Sequence, residues 1–188
     1  MKKTLITLLL CCASIPLQAA EYKLDTQGAH AFIQFKIKHM GFSWLLGSFK
    51  KFEGHFNYNE KQPSTSNAKV SIEMKSVDSH HAERDKHLRG KDFFEVKKYP
   101  KATFVSTSFV ENSKNSATLK GKLTLHGVTK NIALDVQHIG HGNDPWGGYR
   151  RGFSATTSLS LKDFNINFNL GPAAKEVELF ISVEGIKQ

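Results

Sequence analysis

The amino-acid sequence predicts an all-β protein of about eight antiparallel strands, arranged as a closed barrel or as a sandwich. Apolar and polar residues alternate through most of the chain after residue 30, and turn residues separate the alternating runs. A period of two puts every second side chain on the same face of a strand, so each run has one apolar face. Short links between the runs favour antiparallel neighbours. A barrel leaves no exposed edge strand and is therefore favoured.

The stretch AFIQFKIKH predicts the first strand, with Ile33, Phe35 and Ile37 on one face and polar side chains on the other. The same split recurs along the chain, with apolar faces formed by Phe52, Phe56 and Tyr58, by Val70, Ile72 and Met74, by Leu119, Leu123 and Leu125, by Ile132, Leu134 and Val136, by Phe153, Ala155, Leu159 and Leu161, and by Val177, Leu179, Ile181 and Val183. The segment 102–110 predicts a further strand, which is apolar on both faces.

Segments that break the alternation predict helical structure. GFSWLLG is typical of a short helical turn over about residues 41–46. HHAERDKHLRG predicts a helix over about residues 80–90. Asp78 or Ser79 can cap the start of this helix, and Gly90 can end it.

Residues 1–19 are predicted to be a secretory signal peptide, because lysines precede an apolar run and small residues follow it. The run from Leu5 to Ile15 is shorter than the roughly 20 residues that a transmembrane helix needs. Cleavage is expected after Ala19, with Ala20 as the close alternative. Both cysteines lie inside this segment, so residues 20–188 are expected to form one exported domain without a disulfide.

The chain is basic, with a formal net charge of +9. Its lysines and arginines are scattered instead of clustered, so no nucleic-acid partner is predicted. An anionic headgroup or a transient membrane-surface contact fits this charge. A soluble basic surface without a specific partner fits it equally well.

The stretch HHAERDKH has the composition of a metal site or of an acid–base pair. On a helix, His80 and His87 stand about 10 Å apart along the axis, too far to share one metal. His81 can pair with Asp85, while Glu83 and His87 pair on the opposite side, and zinc needs three or four converging ligands. The stretch therefore predicts a polar helix surface over the barrel. No metal, cofactor or catalytic residue is predicted, because no nucleophile elbow, phosphate loop or dinucleotide motif is present.

Four stretches of the chain resemble a known family. They are HAFIQFKIKHMGFSWLLGSFKKFEGHF, SVDSHHAERDKHLRGKDFFEVKKYPKATFVSTS, GKLTLHGVTKNIAL and DPWGGYRRGFSATTSLSLKDFNI. They follow one another in the family's order between Tyr22 and Gly185, and RDKHLRGKDFF and LTLHGVTK are the most specific of their motifs. The chain is similar to the YceI family of bacterial periplasmic proteins.

This resemblance implies an extended lipocalin-like fold, an eight-stranded antiparallel barrel with helical segments packed around it. It implies a periplasmic, non-enzymatic protein with an elongated apolar cavity for a polyisoprenoid or a similar long amphiphile, such as a quinone-like or fatty-amide lipid. Lipid transport, storage and stress response are the roles that it implies.

Bulky inward positions are the candidate cavity residues: Ile33, Phe35, Ile37, Phe52, Ile72, Met74, Phe104, Leu134, Val136, Phe153, Leu159 and Leu179. The candidates for the mouth lie outside the strands and are Trp44, Leu45, Phe93 and Phe94. The candidate headgroup contacts are Arg84, His87, Arg89, Trp146 and Arg150. An eight-stranded barrel can also be filled by its own side chains, so a solid core is the alternative for the apolar set.

Two other functions compete with lipid binding. A metal-dependent hydrolase would use the segment 80–87, and a periplasmic stress chaperone would need an exposed apolar surface. Phe32, Phe109 and Phe180 are expected to face outward, which fits a homodimer.

Overall fold

The computed structural model describes residues 19–188, where it forms strand segments and one α-helix. The strands are β1 Ala20–Leu24, β2 Phe32–His39, β3 Ser43–Phe49, β4 Phe52–Tyr58, β5 Asn67–Glu73, β6 Val77–Asp78, β7 Lys101–Ser113, β8 Ser116–Leu125, β9 Val128–Asn143, β10 Tyr149–Ser160 and β11 Glu176–Lys187. The helix α1 is Ala82–Leu88, and short 3-10 turns are formed by Pro63–Thr65, Met74–Ser76 and Leu161–Phe164. The predicted signal peptide, apart from Ala19, lies outside the described residues.

The strands close into an eight-stranded antiparallel barrel, as predicted. The hydrogen-bonded ring runs β1–β4–β5–β7–β8–β9–β10–β11 and returns to β1. β2, β3 and β6 continue the lines of β1, β4 and β5, respectively. A break in the strand separates the two segments of each of these three walls. β11, for example, pairs with β1 near its end and with β2 over Val177–Ser182. Only Lys50 and Lys51 separate β3 from β4. The segments therefore make eight walls, three of them broken.

The helical turn predicted over residues 41–46 is wrong. The chain instead makes a tight turn at Met40–Phe42, where the Phe42 N–H donates to the His39 carbonyl at 2.9 Å. β3 begins immediately afterwards and pairs with β2 from His39 to Gln34. Because β3 is apolar on both faces, its period of two is hard to see in the sequence.

The helix predicted over residues 80–90 is confirmed in shortened form as α1. Its N-cap is His81 instead of Asp78 or Ser79, because Nδ1 of His81 accepts a hydrogen bond from the Arg84 backbone N–H at 3.2 Å. Ser79 has another role: its N–H and its hydroxyl both donate to Oδ1 of Asp85, at 2.8 Å and 2.6 Å. These bonds fix the helix to the end of β6.

A bulge in β7 changes the direction of the side chains that follow it. The register between β7 and β8 shifts between Ser106 and Ser108, so that the residues after the bulge exchange faces. Phe109 is therefore buried inside the barrel, and its predicted outward position is wrong. Phe32 and Phe180 are exposed, as expected.

The packed core includes the half of the barrel that β1 and β4 enclose. The Phe56 ring stacks on Tyr22 with centroids 4.9 Å apart and meets Phe153 edge-on at 5.4 Å. Such aromatic pairs stabilise a core beyond the burial of their area. Within residues 19–188, no helix has the length and apolar composition needed to cross a bilayer.

Candidate ligand-binding cavity

The other half of the barrel is hollow. A cavity of about 740 Å³ opens between the β2–β3 hairpin, α1 with the segment after it, and the loop 165–175. Its walls are almost entirely apolar and include Ile37, Leu45 and Leu159. We call this the open end of the barrel. Volume and lining are those of a site for a small apolar ligand.

A second, smaller chamber of about 150 Å³ continues the cavity toward the core. The two spaces share Ile33, Ile72, Leu123 and Leu179 in their walls. Phe104, Phe109 and Phe153 surround the inner chamber. These shared side chains lie between the two spaces, so their rotamers decide whether a long apolar chain passes from one to the other.

Basic side chains line the mouth. Lys38, His39, Arg84 and His87 belong to the cavity wall, and no aspartate or glutamate of residues 19–188 does. Arg84 is held in place by Ser79, because its Nε donates to the Ser79 hydroxyl at 2.8 Å and its Nη2 to the Ser79 carbonyl at 2.6 Å. The mouth is therefore suited to a polar or anionic headgroup.

Aromatic rings pack beside these basic groups. The His87 ring lies edge-on to Phe93 and to Phe168, with centroids 5.0 Å and 5.1 Å away. Nε2 of His87 lies 3.0 Å from Oδ2 of Asp92. This cluster joins α1 to the loop 165–175 and so forms one side of the mouth.

The closed end of the barrel is held by an arginine on the outer side of β10. Arg150 Nη1 donates to Asp25 at 2.7 Å and to Glu184 at 2.5 Å, and its Nε donates to Asp144 at 2.6 Å. Nδ1 of His30 lies 2.9 Å from the same Oδ2 of Asp25, while Oδ1 accepts a hydrogen bond from the Gly28 N–H. The hydrogen bond with His30, followed by those from Arg150 and the Gly28 backbone, lowers the pKa of Asp25 to about 2 despite its burial.

Polar side chains also close the barrel from inside at this end. The Tyr58 hydroxyl donates to Glu111 at 2.7 Å, and Nε2 of His138 lies 3.6 Å from the same carboxylate. The guanidinium of Arg151 lies 4.3 Å from the Tyr58 ring centroid and pairs with Glu60. Burial and the neighbouring Glu111 raise the pKa of Tyr58, while burial lowers the pKa of His138.

Most of the sequence-predicted site residues line one of the two spaces. In the outer cavity these are Ile33, Phe35, Ile37, Leu45, Ile72, Met74, Arg84, His87, Phe93, Phe94, Leu159 and Leu179. In the inner chamber they are Phe104, Leu134, Val136 and Phe153, with Ile33, Ile72 and Leu179 shared. Positions far apart in the sequence are thus brought together.

Five predicted site residues lie elsewhere. Trp44 is on the outer face of β3, beside Lys36. Phe52 packs against the core without lining either space. Arg89 extends toward the Val77 carbonyl, 3.5 Å away. Trp146 and Arg150 are at the closed end, the Trp146 ring 5.5 Å from the Arg150 guanidinium.

The sequence analysis did not identify part of the cavity wall. The additional residues are Lys38, His39, Met40, Phe49, Leu88, Ala102, Leu123, Leu125, Leu161, Phe168, Asn169, Leu170, Gly171, Pro172 and Val177. A signal was present for the loop 165–175, because Phe164, Ile166, Phe168 and Leu170 are spaced by two. The first two are buried and the last two face the cavity.

The histidines of HHAERDKH do not converge. His81 caps α1, His87 contacts Asp92, and His80 lies 3.9 Å from Asp78. In the part of the chain that the structure describes, the His, Asp and Glu side chains that come close enough to share an ion are Asp25, His30 and Glu184. Arg150 already binds both of these carboxylates.

The family model of the YceI-like domain matches residues 22–185. A UPF0312 protein of Pseudomonas paraeruginosa is 53% identical over 191 residues, with 100% of both chains covered. Among solved structures, a YCEI protein of Campylobacter jejuni is similar with a TM-score of 0.73 at 29% identity, over 81% of this chain and 90% of that one. A polyisoprenoid binding domain from Saccharophagus degradans has a TM-score of 0.66 at 17% identity, over 89% and 98% of the two chains, which shows a common fold.

Proposed function

Since the chain belongs to the family of YceI-like domains, we propose that it is a non-enzymatic binding protein that holds a polyisoprenoid or another long-chain amphiphilic lipid. The observation that carries this proposal is the apolar cavity of about 740 Å³, which continues into an inner chamber. The S. degradans domain, whose fold is similar, is described as a polyisoprenoid binding domain, and this supports the same class of ligand.

Burial of the hydrocarbon chain supplies the affinity. Each methylene removed from water contributes about 0.8 kcal/mol, so a five-carbon isoprene unit contributes roughly 3 kcal/mol before the cost of ordering it. A few such units give tight binding without any polar contact. Selection is then by the length and shape of the chain.

The headgroup remains at the mouth, near Lys38, His39, Arg84 and His87. These side chains donate hydrogen bonds to an oxygen of a quinone-like, amide or anionic headgroup. Lys38 and His39 lie on β2, whereas Arg84 and His87 lie on α1, and the His87 side chain is about half exposed. The mouth therefore fits several headgroups. Quinone-like and fatty-amide lipids are both members of the proposed ligand class.

A periplasmic location, with residues 1–19 removed on export, is part of the same proposal. The cellular role would be lipid transport, storage or stress response. Cell fractionation with sequencing of the mature N-terminus tests the location: a mature chain that begins at Ala20 or Glu21 in the periplasmic fraction supports it. An uncleaved chain in the cytoplasm would contradict it.

Mass spectrometry of an organic extract tests the function. The protein is purified without detergent, extracted, and then offered prenyl lipids of increasing chain length. We expect a stoichiometric long-chain amphiphile in the extract, or saturable uptake of prenyl lipid that strengthens with chain length. Neither bound lipid nor uptake would contradict the proposal.

Two neighbouring positions on β11 provide a matched pair of variants. Leu179 faces both spaces, whereas Phe180 is exposed on the outer face. We expect Leu179→Trp to fill the junction of the spaces and to weaken the uptake of long chains at least tenfold, about 1.4 kcal/mol. Phe180→Trp should bind as the unchanged protein does. Circular dichroism and the melting temperature verify that both variants fold.

A further inference from the structure

Exposed apolar side chains are concentrated at the mouth of the cavity. Of the eleven large apolar residues that are exposed, five lie at the mouth or on the adjoining hairpin: Met40, Phe42 and Phe168 at the mouth, and Trp44 and Leu46 on the outer face of β3. The first two form the tip of the β2–β3 hairpin and are 64% and 85% exposed. A cluster of this kind marks a contact with a partner or a membrane.

The tip carries an apolar side chain in a backbone conformation that disfavours it. Met40 has a φ of 52° and Gly41 a φ of 87°. Asparagine, aspartate and glycine are the usual residues in such a hairpin turn. A large side chain held at positive φ is uncommon, and strain of this kind clusters at functional segments.

Basic groups lie directly behind the apolar tip. The ammonium groups of Lys36 and Lys38 lie 4.5 Å and 5.6 Å from the centre of the Trp44 ring, and that of Lys36 is also paired with Glu178 at 2.9 Å. Lys38 and His39 also belong to the cavity wall, which contains no acidic residue of the described chain. From the tip inward, the hairpin thus presents apolar side chains and then Trp44 and Lys38, which lie opposite each other in the strand register. A bilayer likewise presents hydrocarbon and then an interface with anionic headgroups.

We propose that the β2–β3 hairpin docks the mouth of the barrel on an anionic lipid bilayer. Phe42 and Met40 enter the interface, Trp44 lies at the level of the headgroups, and Lys38 contacts lipid phosphate. The cavity then opens against the bilayer, so that a long-chain lipid passes between the two with little exposure to water. This inference rests on the proposed function, because docking serves a cavity that exchanges lipid.

The two tryptophans of the chain report on opposite ends of the barrel. Trp146→Phe leaves Trp44, at the open end, as the single reporter, and Trp44→Phe leaves Trp146, at the closed end. Each variant is mixed with vesicles of phosphatidylglycerol and phosphatidylcholine in equal parts, with a quencher attached to the acyl chains. We expect the Trp44 emission to shift to shorter wavelength and to be quenched. The Trp146 emission should stay unchanged.

Substitutions on the hairpin test which groups make the contact. Phe42 is outside the cavity wall, so Phe42→Ser should lower vesicle affinity at least tenfold and leave lipid uptake unchanged. Ile139→Ser is the matched control, because Ile139 is 64% exposed on β9, away from the mouth, and should not alter vesicle binding. Lys38→Glu should weaken binding to anionic vesicles more than to vesicles of phosphatidylcholine alone.

The outcomes separate docking from lipid binding. Leu179→Trp should lose lipid uptake and still bind vesicles. Phe42→Ser should take up lipid and bind vesicles weakly. No response of Trp44 to vesicles overturns the docking proposal, even where prenyl lipid is taken up. Equal affinity for neutral and anionic vesicles overturns the part assigned to Lys38. A change in Trp44 that depends on protein concentration and needs no vesicles assigns the hairpin to contact with a second copy of the chain.

Discussion

The closed and open ends of the barrel differ in what their charged side chains contact. At the closed end, Arg150 bonds three carboxylates, two of which are almost completely buried. At the open end, Arg84 bonds only the uncharged atoms of Ser79, and Lys38 faces the mouth. The same sheet thus ends in an arginine bonded to three carboxylates on one side and, on the other, in Arg84 and Lys38, for which the described residues show no ion pair.

This difference assigns stability to one end and exchange to the other. Buried charges that are paired fix a structure, because every alternative arrangement leaves one of them without a partner. Apolar walls around empty space have no such constraint, and the segments that border the space can move at lower cost. A lipid-binding barrel needs both properties, since it must stay folded while its cavity fills and empties.

The strongest test of the comparison replaces an arginine at each end by methionine. Arg150→Met removes the arginine partner of Asp25, which keeps its bonds to His30 and the Gly28 N–H, so the free energy of unfolding should fall by about 2–3 kcal/mol. Arg84→Met removes hydrogen bonds to Ser79, which keeps its bonds to Asp85, and should cost about 1 kcal/mol. Urea unfolding of both variants measures the two values, and equal losses would contradict the assignment.

The strands, the barrel and the inward strand positions of the cavity wall were predictable because alternation is a local property. Ile33, Phe35 and Ile37 face inward for the same reason that Val177 and Leu179 do: each run has one apolar face, and a closed barrel has one interior. The hairpin 40–46 was missed because β3 is apolar on both sides, one facing the cavity and the other exposed. Phe109 was missed because a bulge changes the phase within its strand.

The closed end could not be predicted, because its partners meet only after folding. Arg150 and Asp25 are 125 residues apart in the chain, and no local spacing relates them. Arg150 was therefore predicted, wrongly, to be a headgroup contact. The tertiary contacts assign it to the opposite end of the barrel.

A second test adds one methyl group at each end. In Gly185→Ala, the new Cβ would lie 2.5 Å from Phe56 Cε1 and 2.8 Å from Tyr22 Cβ, inside the stacked core, at a cost of about 3 kcal/mol. In Gly47→Ala, the Cβ would overlap the Phe35 ring, which borders the cavity, and would lie 2.9 Å from the Asp78 backbone oxygen, so about 2 kcal/mol is expected.

Urea unfolding measures both costs, and uptake of prenyl lipid measures the space that remains. Gly47→Ala should reduce the uptake of long chains, because the Phe35 ring then occupies part of the cavity. Gly185→Ala should leave uptake unchanged in the folded protein. A larger loss of stability for Gly47→Ala would show that the open end is packed as tightly as the closed end.

Lowering the pH provides the test with the smallest expected effect, because it protonates the Asp25 carboxylate. The pKa of this carboxyl is about 2 in the folded protein and has an ordinary value of 3.8, so the folded state favours its ionised form. The stabilisation is complete above the ordinary value and is lost as the pH falls toward 2. It amounts to about 2 kcal/mol, since one pKa unit corresponds to about 1.4 kcal/mol.

Asp25→Asn should lower stability at neutral pH and flatten the dependence of stability on pH between about 4 and 2. Asp92→Asn is the control at the open end, where the pair with His87 lies largely in solvent and contributes little to stability. Urea unfolding across this pH range measures both variants. An acid response that survives in Asp25→Asn would mean that carboxylates elsewhere govern acid stability, and the closed end would lose the role that the Arg150 network gives it.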